Sequence, residues 1–169
     1  MADLDNFTFL QGGRELLPRV KTLWEQLNLH HLEHSNFFKA HFSNFEFEKR
    51  HQPLMDEKGT EILIDLVIDQ RQKREVAYCL SSLAGDGTGE IESLYVEAAY
   101  CQLNLGQMLM ERAVSWLQGQ NASPLLIAVA EGNENVLPFY RRFGFYPRKL
   151  LLQYVPPEQR PSNENPDVD

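Results

Sequence analysis

The residues best placed to do chemistry lie between Glu90 and Met110, in the stretch EIESLYVEAAYCQLNLGQMLM. Ile91 to Val96 alternates apolar and polar residues and is rich in β-branched and aromatic types, which predicts a strand. A polar turn with a glycine follows, and a helix opens near Leu105 or Gly106. The first N–H groups of a helix have no acceptor inside it and carry the positive end of its dipole. Such a strand–turn–helix can hold an anion, and the phosphates of a nucleotide-bearing cofactor are the natural guest. The same pattern also fits a plain β–α connection that binds nothing. A second cluster holds His30, His31, His34 and His41. His30 and His34 share one helical face, so a metal site is weighed, but no H-E-x-x-H signature accompanies them. Packed or pocket-lining histidines fit better, and no metal is expected. Cys79 and Cys101 stand in strand and turn contexts, without the spacing of a disulfide framework or a zinc site.

These groups must be positioned by the rest of the chain. Phe7 to Leu10 is a short strand candidate ending at Gly12-Gly13, and a helix is expected from Arg14 to Leu32 with Pro18 in its first turn. Asn36 to Met55 reads as one further helix, with Phe38, Phe42, Phe45 and Phe47 as core candidates, closed by Gly59. Ile62 to Ile68 and Val76 to Leu83 read as hairpin partners, and the turn Gly85 to Gly89 leads into the strand of the opening stretch. Three strands joined by short turns imply an antiparallel meander. The helix after the turn puts Leu105, Leu109, Ala113, Trp116 and Leu117 on one side. Leu125 to Ala130 is almost wholly apolar, as in a central strand covered on both faces, and is expected to lie parallel to the strand before the helix. Asn133 caps a short helix through Arg142, and Leu150 to Val155 reads as a last strand.

The chain has 169 residues and a formal net charge of −8, which suits one globular domain and argues against a nucleic-acid-binding module. No apolar run reaches the length of a membrane span, and the first residues lack the basic start of a secretory signal, so a cytoplasmic protein is expected. The domain is expected to run over residues 1–155. Residues 156–169, acidic and proline-rich, read as a disordered tail.

Two separated stretches resemble the GNAT N-acetyltransferases. One is Leu94-Tyr95-Val96 with the helix-opening turn. The other, Asn133 to Phe145 (NENVLPFYRRFGF), is similar to the family's N-x-x-A-x-x-F-Y-x-x-x-G-F segment with Val136 in the alanine place. The resemblance covers about residues 7 to 155. It implies an α/β fold with a mixed sheet: two N-terminal helices, an antiparallel meander, then a β-α-β-α-β half. One departure is plain. The family's acyl-CoA loop reads R/Q-x-x-G-x-G/A, whereas here it is Cys101-Gln102-Leu103-Asn104-Leu105-Gly106. Asparagine tolerates a positive φ better than other non-glycine residues, so Asn104 is the mildest replacement.

The resemblance also implies the chemistry. Acetyl-CoA would be the cosubstrate, its pyrophosphate held at Gln102, Leu103, Asn104, Leu105, Gly106, Gln107 and Met108, chiefly by backbone N–H groups. Its pantetheine arm would lie along Leu94, Tyr95 and Val96, with an N–H near Val96 polarising the thioester carbonyl. Asn133 would touch the cofactor arm or serve only as a helix cap. Tyr140 would be the general acid for the leaving thiolate. Glu92 is the first choice of base, since it lies two residues before Leu94 and would project from the same strand face, with Glu90 on that face and His31 behind it. His31, His34 and Phe38 would line the acceptor pocket. The reaction implied is direct attack by the primary amine of a small molecule, such as a polyamine-like cation, in a ternary complex. A homodimer is allowed for, and no membrane or nucleic-acid partner is expected. The alternatives are a protein or peptide amine as acceptor, or a non-catalytic acyl-CoA-binding or interaction module on the same fold.

Overall fold

The computed structural model describes residues 4–56 and 59–160. β1 (Phe7–Gly12) passes through a 3-10 turn at Arg14–Leu16 into α1 (Leu17–His34), with Pro18 in the first turn as the missing donor requires. Two short helices follow, α2 (Lys39–Ser43) and α3 (Phe47–Asp56). The single helix expected over residues 36–55 is therefore broken. The break lies at Asn44, whose side-chain amide donates to the Ala40 carbonyl at 2.9 Å. Turning there brings both Phe45 and Phe47 against Trp24 of α1, with ring centroids 5.5 and 5.6 Å away. A continuous helix could not present two aromatics two residues apart to one ring.

β2 (Glu61–Asp69), β3 (Arg74–Leu83) and β4 (Gly89–Val96) complete the antiparallel meander with β1. A 3-10 segment at Ala98–Leu103 leads into α4 (Leu105–Gly119), and β5 (Leu125–Ile127) then pairs parallel to β4. A 3-10 turn at Glu134–Val136 and α5 (Leu137–Arg141) follow. The sheet order is β1-β2-β3-β4-β5. One face packs on α1 and α3 through Val20, Leu23, Trp24, Ile64, Leu66, Tyr78 and Leu80. The other packs on α4 and α5 through Val67, Cys79, Ile91, Leu105, Leu109, Met110 and Leu117. On that second face the buried Asp65 carboxylate accepts from Arg112 Nε of α4 at 2.7 Å, fixing the helix across the sheet.

Two expectations at the C-terminal end are corrected. β5 has three residues rather than six, and it is the sheet's edge rather than a strand covered on both faces; Leu126 is 38% exposed. Leu150 to Val155 forms no strand, and its leucines stand in solvent. β propensity alone does not make a strand where no neighbour receives its hydrogen bonds. Of the expected tail, residues 161–169 lie outside the described residues, and Pro157–Gln159 forms a 3-10 turn. Among the described residues no helix is long and apolar enough to cross a membrane.

Candidate active site

The site begins where β4 and β5 part. They pair at only three positions, Gly89 with Leu125, Glu90 with Leu126 and Ile91 with Ile127. Just beyond, β4 carries a β-bulge. Ser81 of β3 faces Ile91 and Leu80 faces Ser93, which leaves Glu92 opposite no residue. Past the bulge, Ser93 to Val96 has no strand partner on the β5 side among the described residues, so every other N–H and C=O there is open to a ligand.

The bulge also resets which face each side chain takes. Ser93 Oγ accepts from the Tyr78 hydroxyl at 3.0 Å and Glu92 reaches Arg50 of α3, so both lie on the α1/α3 face. Leu94 and Val96 pack on the α4 face. Strict alternation puts Glu92 and Leu94 on one face; the extra residue separates them, and that expectation is corrected.

Glu92 is fully engaged. Its Oε1 accepts from Ser82 Oγ at 2.7 Å and its Oε2 from Arg50 Nη2 at 2.8 Å, with the side chain 9% exposed. Glu90, on the same face and half-buried, has no hydrogen-bond partner among the described residues. Burial, and then the nearby Glu92 charge, raise its carboxyl above the usual range, with Arg50 opposing them.

At the other end of the opening, the altered loop keeps its geometry. Asn104 has φ 59° and ψ 16°, the left-handed conformation that an asparagine accepts. Met108 N–H is already bonded to the Asn104 carbonyl at 3.1 Å, leaving Leu105, Gly106 and Gln107 as the N–H groups ahead of the first helical bond. Gly106 lies against Val96 and Phe139 without crowding: a Cβ there would stand 3.5 and 3.7 Å from them. Its bareness keeps the helix N-terminus open. Gln102 and Leu103 fall in the 3-10 segment that precedes it. Cys101 Sγ is 3.7 Å from the Val96 carbonyl oxygen, so it faces back toward the strand end. Arg142 donates to the Gln107 side chain and lies over the Phe139 and Phe143 rings, bringing a cation to this end.

Tyr140 packs on the α4 face of the sheet. Burial and the neighbouring Cys79 push its hydroxyl up to about 12, so it keeps its proton at neutral pH, and it has no hydrogen-bond partner among the described residues. Cys79 itself is buried and likewise pushed up to about 12 by burial, which leaves it an inert thiol. Asn133 precedes the 3-10 turn at Glu134 but makes no side-chain cap. Its Oδ1 instead faces His30 Nε2 at 3.3 Å.

The C-terminal end of α1 forms the neighbouring wall. His30 and His34 are stacked with ring centroids 4.1 Å apart. Burial, with repulsion from those two rings, lowers His31 to about 4, and it lies against the Phe42 ring. Phe38 N–H donates to Ser35 Oγ at 2.9 Å. Among the described residues no group of three His, Cys, Asp or Glu side chains is placed to hold a metal ion.

A family model of GNAT acetyltransferases matches residues 26–145, well over half the chain. The chain belongs to the GNAT acetyltransferase family. Solved structures agree on the fold. A GCN5-related N-acetyltransferase from Ralstonia eutropha JMP134 superposes with a TM-score of 0.65 at 16% identity, covering 88% of this chain and 98% of that one. A Trypanosoma brucei acetyltransferase gives 0.54 at 16% identity, covering 87% and 99%. AAC(6')-Iy, solved with the bisubstrate analogue CoA-S-monomethyl-acetylneamine, gives 0.56 at 13% identity, covering 89% and 97%. The chain is thus an N-acetyltransferase of a family that takes its acetyl group from acetyl-CoA.

In this acetyltransferase the β4 end, the α4 N-terminus and Tyr140 lie together on the α4 side of the opening. Glu90 and Glu92 lie on the α1/α3 side. Two residues absent from the sequence reading tie the site together. Arg50 holds Glu92 across 42 positions of sequence, a separation that no local pattern reports. Glu131 accepts from Ser35 Oγ at 2.6 Å and from the Asn36 N–H at 3.0 Å, clamping the end of α1 to the loop after β5. Burial works to raise the Glu131 carboxyl, but these hydrogen bonds outweigh it and hold it below its ordinary value. Gly132 has φ 85°, and a Cβ there would meet the His34 carbonyl oxygen at 2.2 Å, so only glycine permits this clamp. The Glu-Gly pair before Asn133 was the available signal.

Proposed function

We propose that this enzyme acetylates the primary amine of a small cationic molecule by direct attack within a ternary complex. The observation that carries the reading is the opening between β4 and β5, with an elevated carboxyl on one side and a protonated phenol on the other. Acetyl-CoA would enter on the α4 face, its pyrophosphate on the N–H groups of Leu105, Gly106 and Gln107 and its arm along Ser93 to Val96 and Asn133. An N–H near Val96 would polarise the thioester carbonyl.

The acceptor would enter from the α1/α3 side, past His31, His34 and Phe38. Glu90, rather than Glu92, takes the proton of the arriving ammonium, directly or through one water, because Glu92 is held by Arg50 and Ser82. The amine nitrogen bonds to the carbonyl carbon, the carbon–sulfur bond breaks, and Tyr140 gives its proton to the departing thiolate; the nitrogen then sheds its second proton to become the amide, and that proton, passed through water, restores the Tyr140 phenol. The Glu90 carboxylate and the net charge of −8 favour a cationic acceptor. That AAC(6')-Iy is solved with the bisubstrate analogue CoA-S-monomethyl-acetylneamine supports an amine acceptor here.

A panel of polyamines, aminoglycosides, amino acids and peptides with acetyl-CoA, read by thiol release, tests the proposal. Turnover on small polycations is expected. A thermal shift with acetyl-CoA but no thiol release with any amine would point to the binding module instead, and turnover on peptides alone would reassign the acceptor.

A further inference from the structure

Ser93 stands at the mouth of the opening. The last pair between β4 and β5 joins Ile91 to Ile127, Glu92 is the inserted residue, and Ser93 is the first residue beyond the bulge whose β5 side is open. Its side chain is on the α1/α3 face, where the acceptor would enter. Glu90 lies behind it, opposite Leu126, where the two strands are still closed. Three residues of strand span about 10 Å, which leaves room for a water beyond the reach of the Glu90 carboxyl. Glu92 lies between them, but its oxygens are taken by Arg50 and Ser82. The proton that Glu90 is to receive therefore starts at the mouth and ends behind it.

The Ser93 hydroxyl is prepared for such a transfer. A serine hydroxyl offers one hydrogen and two lone pairs. The Tyr78 hydroxyl donates to one lone pair at 3.0 Å, and among the described residues the Ser93 hydrogen has no acceptor. One lone pair and one hydrogen remain, as a group needs if it is to take a proton on one side while giving one on the other. Tyr78 itself is a fixed donor. It is fully buried, and burial pushes its phenol far above its ordinary value against the smaller, opposing effect of the Ser93 bond. Cys79 beside it, Arg50 from α3 and Tyr140 from α5 also act on this phenol, so the pair lies between the acceptor side and the proposed acid.

We propose, on the reading of Glu90 as the base, that Ser93 is a catalytic residue relaying the acceptor's proton to Glu90, and that Tyr78 is the positioning residue that orients it. The ammonium N–H breaks as its proton passes to Ser93 Oγ, while the Ser93 hydroxyl proton passes to a water and a proton of that water to Glu90. The nitrogen keeps the electron pair with which it attacks, Glu90 gains one O–H bond, and Ser93 and the water end as they began. By holding one lone pair, Tyr78 fixes the rotamer in which the other meets the amine.

The test compares Ser93→Ala, Ser93→Thr and Tyr78→Phe with the wild type, by kcat/KM from about pH 7 to about pH 10 and by calorimetric binding of acetyl-CoA. At neutral pH the alanine variant should be about 100-fold slower, the low end of what a positioned proton-transfer group contributes, with acetyl-CoA affinity unchanged. That loss should shrink as the pH approaches the acceptor's own value of about 10.4, because the amine then arrives without the proton to be relayed. Ser93→Thr, which keeps the hydroxyl, should retain most of the rate, and Tyr78→Phe should fall between the two. A loss of the same size at every pH would make Ser93 a packing residue and overturn the relay, as would full turnover by the alanine variant or no rescue by threonine. A wild type that releases no thiol with any amine would sink the acceptor reading and the relay with it, whereas an active wild type with any of those three results sinks the relay alone.

Discussion

The Glu92 carboxylate and the Arg50 guanidinium are joined at 2.8 Å across the face of β4, and this ion pair leaves Glu90 as the carboxyl free to take a proton. Glu90→Gln should lower turnover by about 100- to 10,000-fold with stability unchanged. A base works only when ionised, so kcat/KM should rise with pH through the elevated Glu90 value, above the usual carboxylate range. Glu92→Gln leaves burial to raise Glu90 but removes the charge that adds to it, with Arg50 still lowering it. The acid limb should therefore move to lower pH, while stability falls by about 1–3 kcal/mol. Turnover lost in a folded Glu92→Gln enzyme but kept in Glu90→Gln would reverse the assignment.

Tyr140→Phe keeps the ring and deletes the hydroxyl. Turnover should fall by about 100- to 10,000-fold where chemistry limits the rate, with acetyl-CoA affinity and stability almost unchanged. Rapid-mix kinetics with calorimetric binding checks this; an unaltered chemical step would leave Tyr140 as a packing residue only.

Asn104 holds the left-handed turn before α4. Asn104→Ala should cost about 1 kcal/mol and weaken acetyl-CoA binding, while Asn104→Gly should keep or strengthen both. The thermal shift at millimolar acetyl-CoA reads this, since a ligand that binds only the native state stabilises it by mass action. An alanine variant with the full shift would remove the loop from cofactor binding.

His31 is depressed to about 4 by burial and by its two histidine neighbours. The folded protein resists the proton that the unfolded chain accepts near 6.5. Stability from this group is thus complete above about pH 6.5 and is lost as pH falls toward 4. His31→Leu should flatten the stability profile in that window relative to wild type, by about 1–3 kcal/mol once solvent screening of a partly exposed ring is allowed for. Parallel denaturation curves at pH 7 and 5 decide it; an equal loss in both proteins would absolve His31.

Much of the fold is legible because its signals are local. Alternation marks β2, β3 and β4, and the apolar stripe from Leu105 to Leu117 marks α4. The positive φ at position 104 follows from asparagine itself. The failures share a cause, which is tertiary. Nothing in IESLYV reveals that Glu92 is an inserted residue, because a bulge is defined by the partner strand. The helix break at Asn44 is set by Trp24, 20 positions earlier. Leu150 to Val155 has strand composition without a neighbour in its own sheet. The sequence points to β4 for the chemistry, yet the choice between Glu90 and Glu92 needed Arg50, which lies on another element.

The clamp at Gly132 bears on how this enzyme's acceptor range can be changed. Because main chain meets main chain at His34, the loop before Asn133 and the end of α1 behave as one rigid piece, and remodelling there would disturb the cofactor side as well. The short segment from Lys39 to Ser43 lies beyond the clamp and is held to α1 at one residue, Phe42, whose ring lies on His31 and whose carbonyl accepts from Asn28 at 2.9 Å. With the acceptor entering past His31, His34 and Phe38 as proposed, substitutions aimed at new amines would belong on the exposed positions of that segment.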